Sequence, residues 1–344
     1  MNIKDAIKKI ALHEDLTEQE ARDCFSEIMS GVAAPGAIGA FLMGLKMKGE
    51  TISEITGAAR VMRDKAVKIN VRVAGPDDII LDTCGTGGSG KNIFNVSTAA
   101  MFVAAASGIK VAKHGNRGLS SPSGSADVLE ALGVKIDICP EMTEKCINTI
   151  GIGFMFAPLY HGAMKYASSV RKEIGMRTIF NILGPLSNPA EATHQVMGVF
   201  DDKLTEIIAE VLKNLGSKRA CIVHGEDGLD EMTITGRTKI TELNQGKIST
   251  YFVKPEDFGL SVSSPAGISG GDAFRNAEII SRVLDGVPGP QFDMVVMNAA
   301  MSLAVAGKAK THKDAAELAI SMLKSGKAKM KLAELVEFTN KNKG

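Results

Sequence analysis

The chain has no tryptophan, only 5% aromatic residues and no excess of either charge, with 40 Lys and Arg against 39 Asp and Glu. A net charge of +1 provides no field toward nucleic acid or a membrane surface, so neither is an expected partner. Five scattered cysteines (Cys24, Cys84, Cys139, Cys146 and Cys221) form no C-x-x-C pair, and their number is odd. That argues against a disulfide framework and for a reduced, cytoplasmic compartment. The stretch Met1-Asn2-Ile3-Lys4-Asp5 lacks the apolar core of a signal peptide. The most apolar stretches carry Gly, Lys and Asn too often to span a bilayer. What is abundant is glycine, 36 residues, which suits an α/β protein with many tight strand–helix turns. A length of 344 residues suggests one large domain plus a smaller one.

Residues 1 to about 66 read as four short helices. Ile3, Ala6, Ile7 and Ile10 give the first an apolar face at helical spacing. Thr17-x-x-Glu20 and Thr51-x-x-Glu54 are capping boxes, and Pro35 opens a helix that ends near Gly49. Nothing here has catalytic spacing, which leaves packing or dimerisation. From about 72 the pattern alternates between strands (78–82, 109–113, 134–138, 153–156, 194–200, 219–224) and helices (96–107, 125–132, 141–150, 202–215), as in a parallel sheet with helices on both faces. Residues 160–184 read as one long amphipathic helix followed by Arg177 to Leu183. Short β-like runs at Met232–Thr235, Lys239–Leu243 and Ser249–Val253 suggest an antiparallel excursion, and the tail from Gly271 is helical with caps at Asp272 and Thr311. The expected fold is therefore α/β: a small all-helical N-terminal domain (1–70, joined by a returning segment at about 160–185) and a large domain (71–344) with a mostly parallel central sheet flanked by helices.

The most informative stretch runs from Asp82 to Thr98. The apolar run Ile79-Ile80-Leu81 leads in as a buried strand, and the alanine-rich run from Ala99 to Ala106 leads out as a helix. Between them Gly85, Gly87, Gly88 and Gly90 put four glycines in six residues, followed by the helix-capping types Asn95, Ser97 and Thr98. Free backbone amides and a helix N-terminus make a concave site for anionic oxygens. Gly85-x-Gly87-x-x-Gly90 formally matches a dinucleotide fingerprint, but that motif needs an acidic residue about 20 positions on. Here the second strand ends in Lys113-His114, the wrong charge. Gly85-x-x-x-x-Gly90-Lys91 approximates a Walker A loop, but Asn92 stands where a magnesium-binding hydroxyl belongs. A phosphate-rich substrate that is neither a dinucleotide nor ATP survives this test.

Three further constellations bear chemistry. Lys113 to Ser125 packs two cations, an imidazole, four serines and three glycines into 13 residues at the same expected sheet edge, which describes an anion-binding loop. Asp230-Glu231 follows the strand ending at His224 and could hold magnesium, a hard cation that favours carboxylates and bound phosphates. Asp201-Asp202 reads instead as a helix N-cap. Tyr160-His161 is followed ten residues later by Arg171, nearly three turns on, so His161 and Arg171 could share a face, and the arginine fork could grip a carboxylate.

Gly85-Thr86-Gly87-Gly88, Asn95-Val96-Ser97-Thr98, Lys113-His114-Gly115-Asn116-Arg117, Tyr160-His161, Asn181-Ile182-Leu183-Gly184-Pro185-Leu186 and Leu229-Asp230-Glu231 resemble, in that order, the anthranilate phosphoribosyltransferases of tryptophan biosynthesis. That family shares its fold with the class II nucleoside phosphorylases, and the resemblance covers essentially the whole chain. It implies transfer of a phosphoribosyl group from phosphoribosyl pyrophosphate to the amine of anthranilate, with Mg2+ as cofactor and a homodimer formed through the helical domain. It implies donor contacts at Gly85, Gly88, Ser89, Ile93, Asn95, Val96, Ser97 and Thr98. The facing loop would add Lys113, His114, Gly115, Asn116, Arg117, Gly118, Leu119, Ser120, Ser121 and Ser125. Ser97, Asp230 and Glu231 would hold the metal, with Lys113, Asp230 and Glu231 as the catalytic electrostatics. Anthranilate would meet Gly85, Asn116 and Arg171, in a tunnel lined by His114, His161 and Pro185.

The chain departs from the family twice, with Ser89 where an Asp is usual and Ile93 where a Thr is usual. Rival readings are a related phosphoribosyltransferase with another aromatic acceptor, a pyrimidine nucleoside phosphorylase, and a non-enzymatic nucleic-acid-binding homologue. The last should be visibly basic, and this chain is not.

Overall fold

The computed structural model describes residues 1–73, 75, 78–118 and 122–341. Four helices lead: α1 (Ile3–Ala11), α2 (Glu18–Met29), α3 (Pro35–Lys48) and α4 (Ile52–Lys65). Both capping boxes form, because Thr17 Oγ1 accepts from Glu20 N at 3.2 Å while the Glu20 carboxylate accepts from Thr17 N at 2.8 Å, and Thr51 and Glu54 repeat the exchange. Glu54 is fully buried, yet its charge serves packing: it accepts from Leu16 N at 2.9 Å and pairs with Lys48 at 3.1 Å.

The remaining chain runs β1 (Ile80–Gly85), α5 (Val96–Ala106), β2 (Lys110–Gly115), α6 (Ser125–Ala131), α7 (Pro140–Ile150) and β3 (Ile152–Phe156). It continues through α8 (Ala157–Tyr160), α9 (Lys165–Ile174), α10 (Phe180–Leu183), β4 (His194–Gly198), α11 (Leu204–Asn214) and β5 (Arg219–Gly225). A hairpin of β6 (Thr238–Asn244) and β7 (Lys247–Val253) precedes α12 (Ala273–Leu284), α13 (Pro290–Val305), α14 (His312–Lys324) and α15 (Lys327–Lys341). No helix among the described residues is long and apolar enough to cross a membrane.

One seven-stranded sheet has the order β3-β2-β1-β4-β5-β6-β7. Its first five strands are parallel and the last two pairings antiparallel. Both faces are covered, so the alternation along each strand sends side chains into two cores. Leu81, Val111, Ile152, Val196 and Val223 meet α5 and the C-terminal helices. Cys84, Met197, Ala220 and Ile222 meet α11, α9, α10 and the N-terminal helices. Arg60 and Arg63 tie α4 down by donating to the carbonyls of Asn214 (2.7 Å) and Leu186 (2.8 Å). β2 lies on one side of β1 and β4 on the other, so the carboxyl edge between β1 and β4 is the crevice where ligands bind in open α/β sheets.

Four local expectations need correction. Residues 134–138 form no strand: Val134, Ile136 and Ile138 are buried, but Lys135 N donates to Thr339 Oγ1 of α15 instead of to a sheet neighbour. Met232–Thr235 is also not a strand, since Met232 N and Thr233 N donate to the Asn298 and Thr238 side chains. The long helix expected from residue 160 up to Arg177 is broken at His161 (φ −117°, ψ 54°), and its remainder ends at Gly175 in left-handed backbone, so His161 and Arg171 share no helix face. Asp201 precedes α11 rather than capping it, accepting from Lys203 N at 3.0 Å.

Candidate active site

The β1–α5 loop turns through Gly87, Gly88 and Gly90, all at positive φ (68°, 80° and 72°), which side-chain-bearing residues resist. Its first residue is anchored when Thr86 N donates to Gly198 O at 2.9 Å. Asp230, from the loop after β5, accepts from Gly87 N at 2.8 Å. Its neighbour Glu231 accepts from Ser97 N at 3.2 Å, in the first turn of α5. Adjacent carboxylates are thus spread apart, one to the glycine loop and one to the helix start. Burial and the Asp230 charge push the Glu231 carboxyl well above the usual carboxylate range, with Lys113 and Ser97 opposing. Asn95 starts α5 without capping it. Its side chain instead donates to Ser123 O (3.2 Å) and accepts from Asn276 (3.0 Å), joining the two loops and α12. Ile93 bridges to Ser269, Val96 is buried, and Ser89 Oγ accepts from Lys91 N at 3.4 Å.

Lys113 and His114 lie inside β2 rather than beyond it, so they point to opposite faces of the sheet. Lys113 is 2% exposed and donates to Thr83 O and, at 3.3 Å, to Ser97 Oγ. Burial lowers its pKa, against the attraction of Asp82 and Glu231. His114 lies 4.9 Å from His161, ring centre to ring centre, and the Nε2 atoms of both are buried without a partner among the described residues. Burial drives both rings down, to about 3 and about 4, so both are neutral at physiological pH. Two apolar-bodied rings with unmet polar atoms can line a passage for a flat aromatic ligand. On the same face Gln195 donates to Pro185 O at 2.8 Å, and the Arg171 guanidinium covers the Phe180 ring at 5.2 Å.

The second loop is closed by Asp127, which accepts from Gly118 N and Gly124 N at 2.8 Å each. Arg117 is held outward by Asp127 and Glu130 and covers the Phe156 ring at 5.5 Å. Asn116 O accepts from Ser125 Oγ at 3.4 Å, and Gly115 admits that hydroxyl because a Cβ there would meet it at 2.1 Å. Leu119, Ser120 and Ser121 lie outside the described residues. The carboxylates of Asp230 and Glu231 and the Ser97 hydroxyl are hard oxygen donors. No third acidic, His or Cys side chain joins them among the described residues. That set fits Mg2+, which takes one or two carboxylates and leaves its other positions to substrate phosphates and water.

Two family models match: a glycosyl transferase helical bundle domain over residues 4–66 and a glycosyl transferase a/b domain over 77–329. An anthranilate phosphoribosyltransferase from Geotalea uraniireducens is 54% identical, over 98% of this chain and 99% of that protein. The chain belongs to the anthranilate phosphoribosyltransferase family.

Solved anthranilate phosphoribosyltransferases share the fold. The enzyme from Thermus thermophilus superposes with TM-score 0.91 at 41% identity, covering 98% of this chain and 99% of that one. The Saccharomyces cerevisiae enzyme, solved with PRPP and Mg, does so with TM-score 0.90 at 26% identity, covering 98% of both chains. Several residues that hold this sheet edge together are marked by no sequence motif. Buried Asp82 accepts from His114 N at 3.3 Å, and Asn298 of α13 clamps Met232 N and O (3.0 and 2.9 Å) directly after Glu231. Asn276 and Asn298 come from helices whose sequences show only apolar periodicity, and no local signal marks them.

Proposed function

We propose that this protein transfers the phosphoribosyl group of 5-phosphoribosyl 1-pyrophosphate to the amine of anthranilate. The products are N-(5-phosphoribosyl)anthranilate and pyrophosphate, in a magnesium-dependent cytoplasmic step of tryptophan biosynthesis. The observation that carries this reading is the convergence of glycine-loop amides, buried Lys113 and the Asp230–Glu231 pair on one sheet edge. Residues 71–344 serve as the donor-binding domain, and residues 1–70 with 160–185 as the helical domain through which a homodimer forms. Asp230, Glu231 and Ser97 would hold magnesium, which supplies charge neutralisation at the pyrophosphate oxygens.

As the ribosyl C1–O bond breaks, negative charge builds on the leaving group, and Lys113 with the amides around Gly88 stabilises it in a site already organised for anions. Ser89, Ile93, Asn95 to Thr98, Asn116 to Ser121 and Ser125 would surround the donor. Arg171 grips the anthranilate carboxylate, with Gly85, Asn116, His114, His161 and Pro185 around its ring. An aromatic amine is already a neutral nucleophile at pH 7, so no general base is assigned, and holding the amine in line supplies much of the remaining rate. The neutral state of His114 and His161 agrees with a lining role.

Incubation with phosphoribosyl pyrophosphate, magnesium and anthranilate should extinguish anthranilate fluorescence, and an unchanged signal at every magnesium concentration would reject this function. Arg171→Ala should raise the anthranilate KM by roughly tenfold or more while leaving the donor KM nearly unchanged, since a bidentate carboxylate contact is lost. Equal effects on both substrates would contradict the assignment. Ser89 places a hydroxyl where the family usually has a carboxylate, so Ser89→Asp should shift the magnesium concentration giving half-maximal rate. Superimposable titrations would dispose of that idea.

A further inference from the structure

Arg177 lies on the link between α9 and α10, outside every motif discussed above. Its guanidinium is pressed onto the glycine loop: a Cβ built on Gly88 would stand 3.0 Å from its Nε and Nη2 and 3.1 Å from its Cζ. The other side of the guanidinium covers the Phe200 ring at 4.4 Å. Phe200 is itself fixed to the loop, because its N–H donates to Thr86 Oγ1 at 3.2 Å. The guanidinium is therefore sandwiched between an aromatic face and the backbone of the expected phosphate cradle. It is exposed, and among the described residues no carboxylate pairs with it. Arg117, Arg219 and Arg237 are by contrast all held by Glu or Asp.

Charge balance gives this placement its meaning. Lys113 is attracted by Asp82 and Glu231, so part of its charge is already answered within the protein before any ligand arrives. One phosphomonoester alone brings about −1.5 to −2, and a diphosphate ester adds more. Lys113 is buried under the loop, held to Thr83 O and Ser97 Oγ. Arg177 is over it, with a planar fork that matches phosphate geometry and is kept flat by the ring.

We infer that Arg177 is a further donor-binding residue, gripping the diphosphate from the solvent side of the glycine loop while Lys113 acts from beneath. This rests on the function proposed above. It also explains why a cation is placed on the short link that follows Arg171. The segment that binds the acceptor carboxylate would then also close over the donor, so the two substrates would be brought together by one piece of chain.

The test is steady-state kinetics on the full chain with phosphoribosyl pyrophosphate, anthranilate and added pyrophosphate. R177Q is expected to raise both the donor KM and the inhibition constant of pyrophosphate about 10- to 30-fold, the scale of one lost charge-assisted contact. The anthranilate KM should stay within about twofold. R177K should recover only part of the loss, because an ammonium has no planar fork. F200L, which removes the aromatic support but not the charge, should raise the donor KM a few-fold. Unchanged donor KM and pyrophosphate inhibition in R177Q would overturn the inference, and so would equal rises in both substrates' KM, which would mark Arg177 as a structural brace. A wild-type protein that does not turn over the two substrates would instead refute the parent function.

Discussion

Lys113→Met should lower kcat by about 10²- to 10³-fold, the usual cost of removing one preorganised group that stabilises developing negative charge. Met keeps the unbranched stem and its packing, so the change is chiefly the loss of a charge that is 2% exposed. Stability is affected too. Lys113 offsets the buried Asp82 and Glu231, and stripping one partner from a buried ionic group can cost roughly 3–5 kcal/mol. Part of that is relieved by protonation, since burial already pushes the Asp82 and Glu231 carboxyls upward. The two effects separate cleanly when kcat is normalised to folded protein measured by circular dichroism. Lys113→Arg should not rescue, because a guanidinium cannot occupy the pocket that brings Nζ to both Thr83 O and Ser97 Oγ. Activity within tenfold of wild type in folded Lys113→Met would remove Lys113 from the mechanism.

Gly198→Ala should be comparably damaging for a steric reason. A Cβ at Gly198 would sit 1.7 Å from Asp230 O and 2.4 Å from Asp230 C. These are backbone atoms, so no rotamer change relieves the clash, and the Asp230–Glu231 segment must move. Displacing a catalytic group by about 1 Å can cost roughly 10²-fold, and overpacking costs about 1–3 kcal/mol. The expected signature is a fall in kcat/KM of at least about a hundredfold with a modest drop in urea midpoint. Gly236→Ala, with no atom within 4 Å of the added methyl, is the matched control. Wild-type kcat/KM in Gly198→Ala would show that the carboxylate pair tolerates displacement and is not positioned by β4.

The contrast between these two positions shows what kind of information each source held. Lys113 was legible because its type is local: a cation next to a histidine, leaving an apolar strand. Gly198 was not, because nothing around it distinguishes a glycine that admits another backbone from one that merely ends a strand. The same division runs through the corrections. Val134, Ile136 and Ile138 alternate as a strand should, and that alternation is satisfied by burial against helices as readily as by a sheet. Met232 to Thr235 shows the same ambiguity, with side-chain acceptors on Asn298 and Thr238 taking the amides that a neighbouring strand would have taken. The apolar spacing from residue 160 up to Arg177 carried no sign of the break at His161.

By itself the sequence determined the helix caps at Thr17, Thr51, Asp272 and Thr311, the parallel α/β architecture, the glycine loop and the residue types gathered at the site. These follow from short-range physics, in which periodicity, capping chemistry and backbone freedom are written within a few neighbouring residues. Only the tertiary structure decided that Lys113 and His114 face opposite sides of the sheet, and that Asp230 and Glu231 diverge toward the loop and the helix. It also decided that Asn276, Asn298, Phe200 and Arg177 complete the edge. Those relations depend on strand register and on helices more than 60 residues away meeting one strand edge, and separation in sequence leaves no local trace of such contacts.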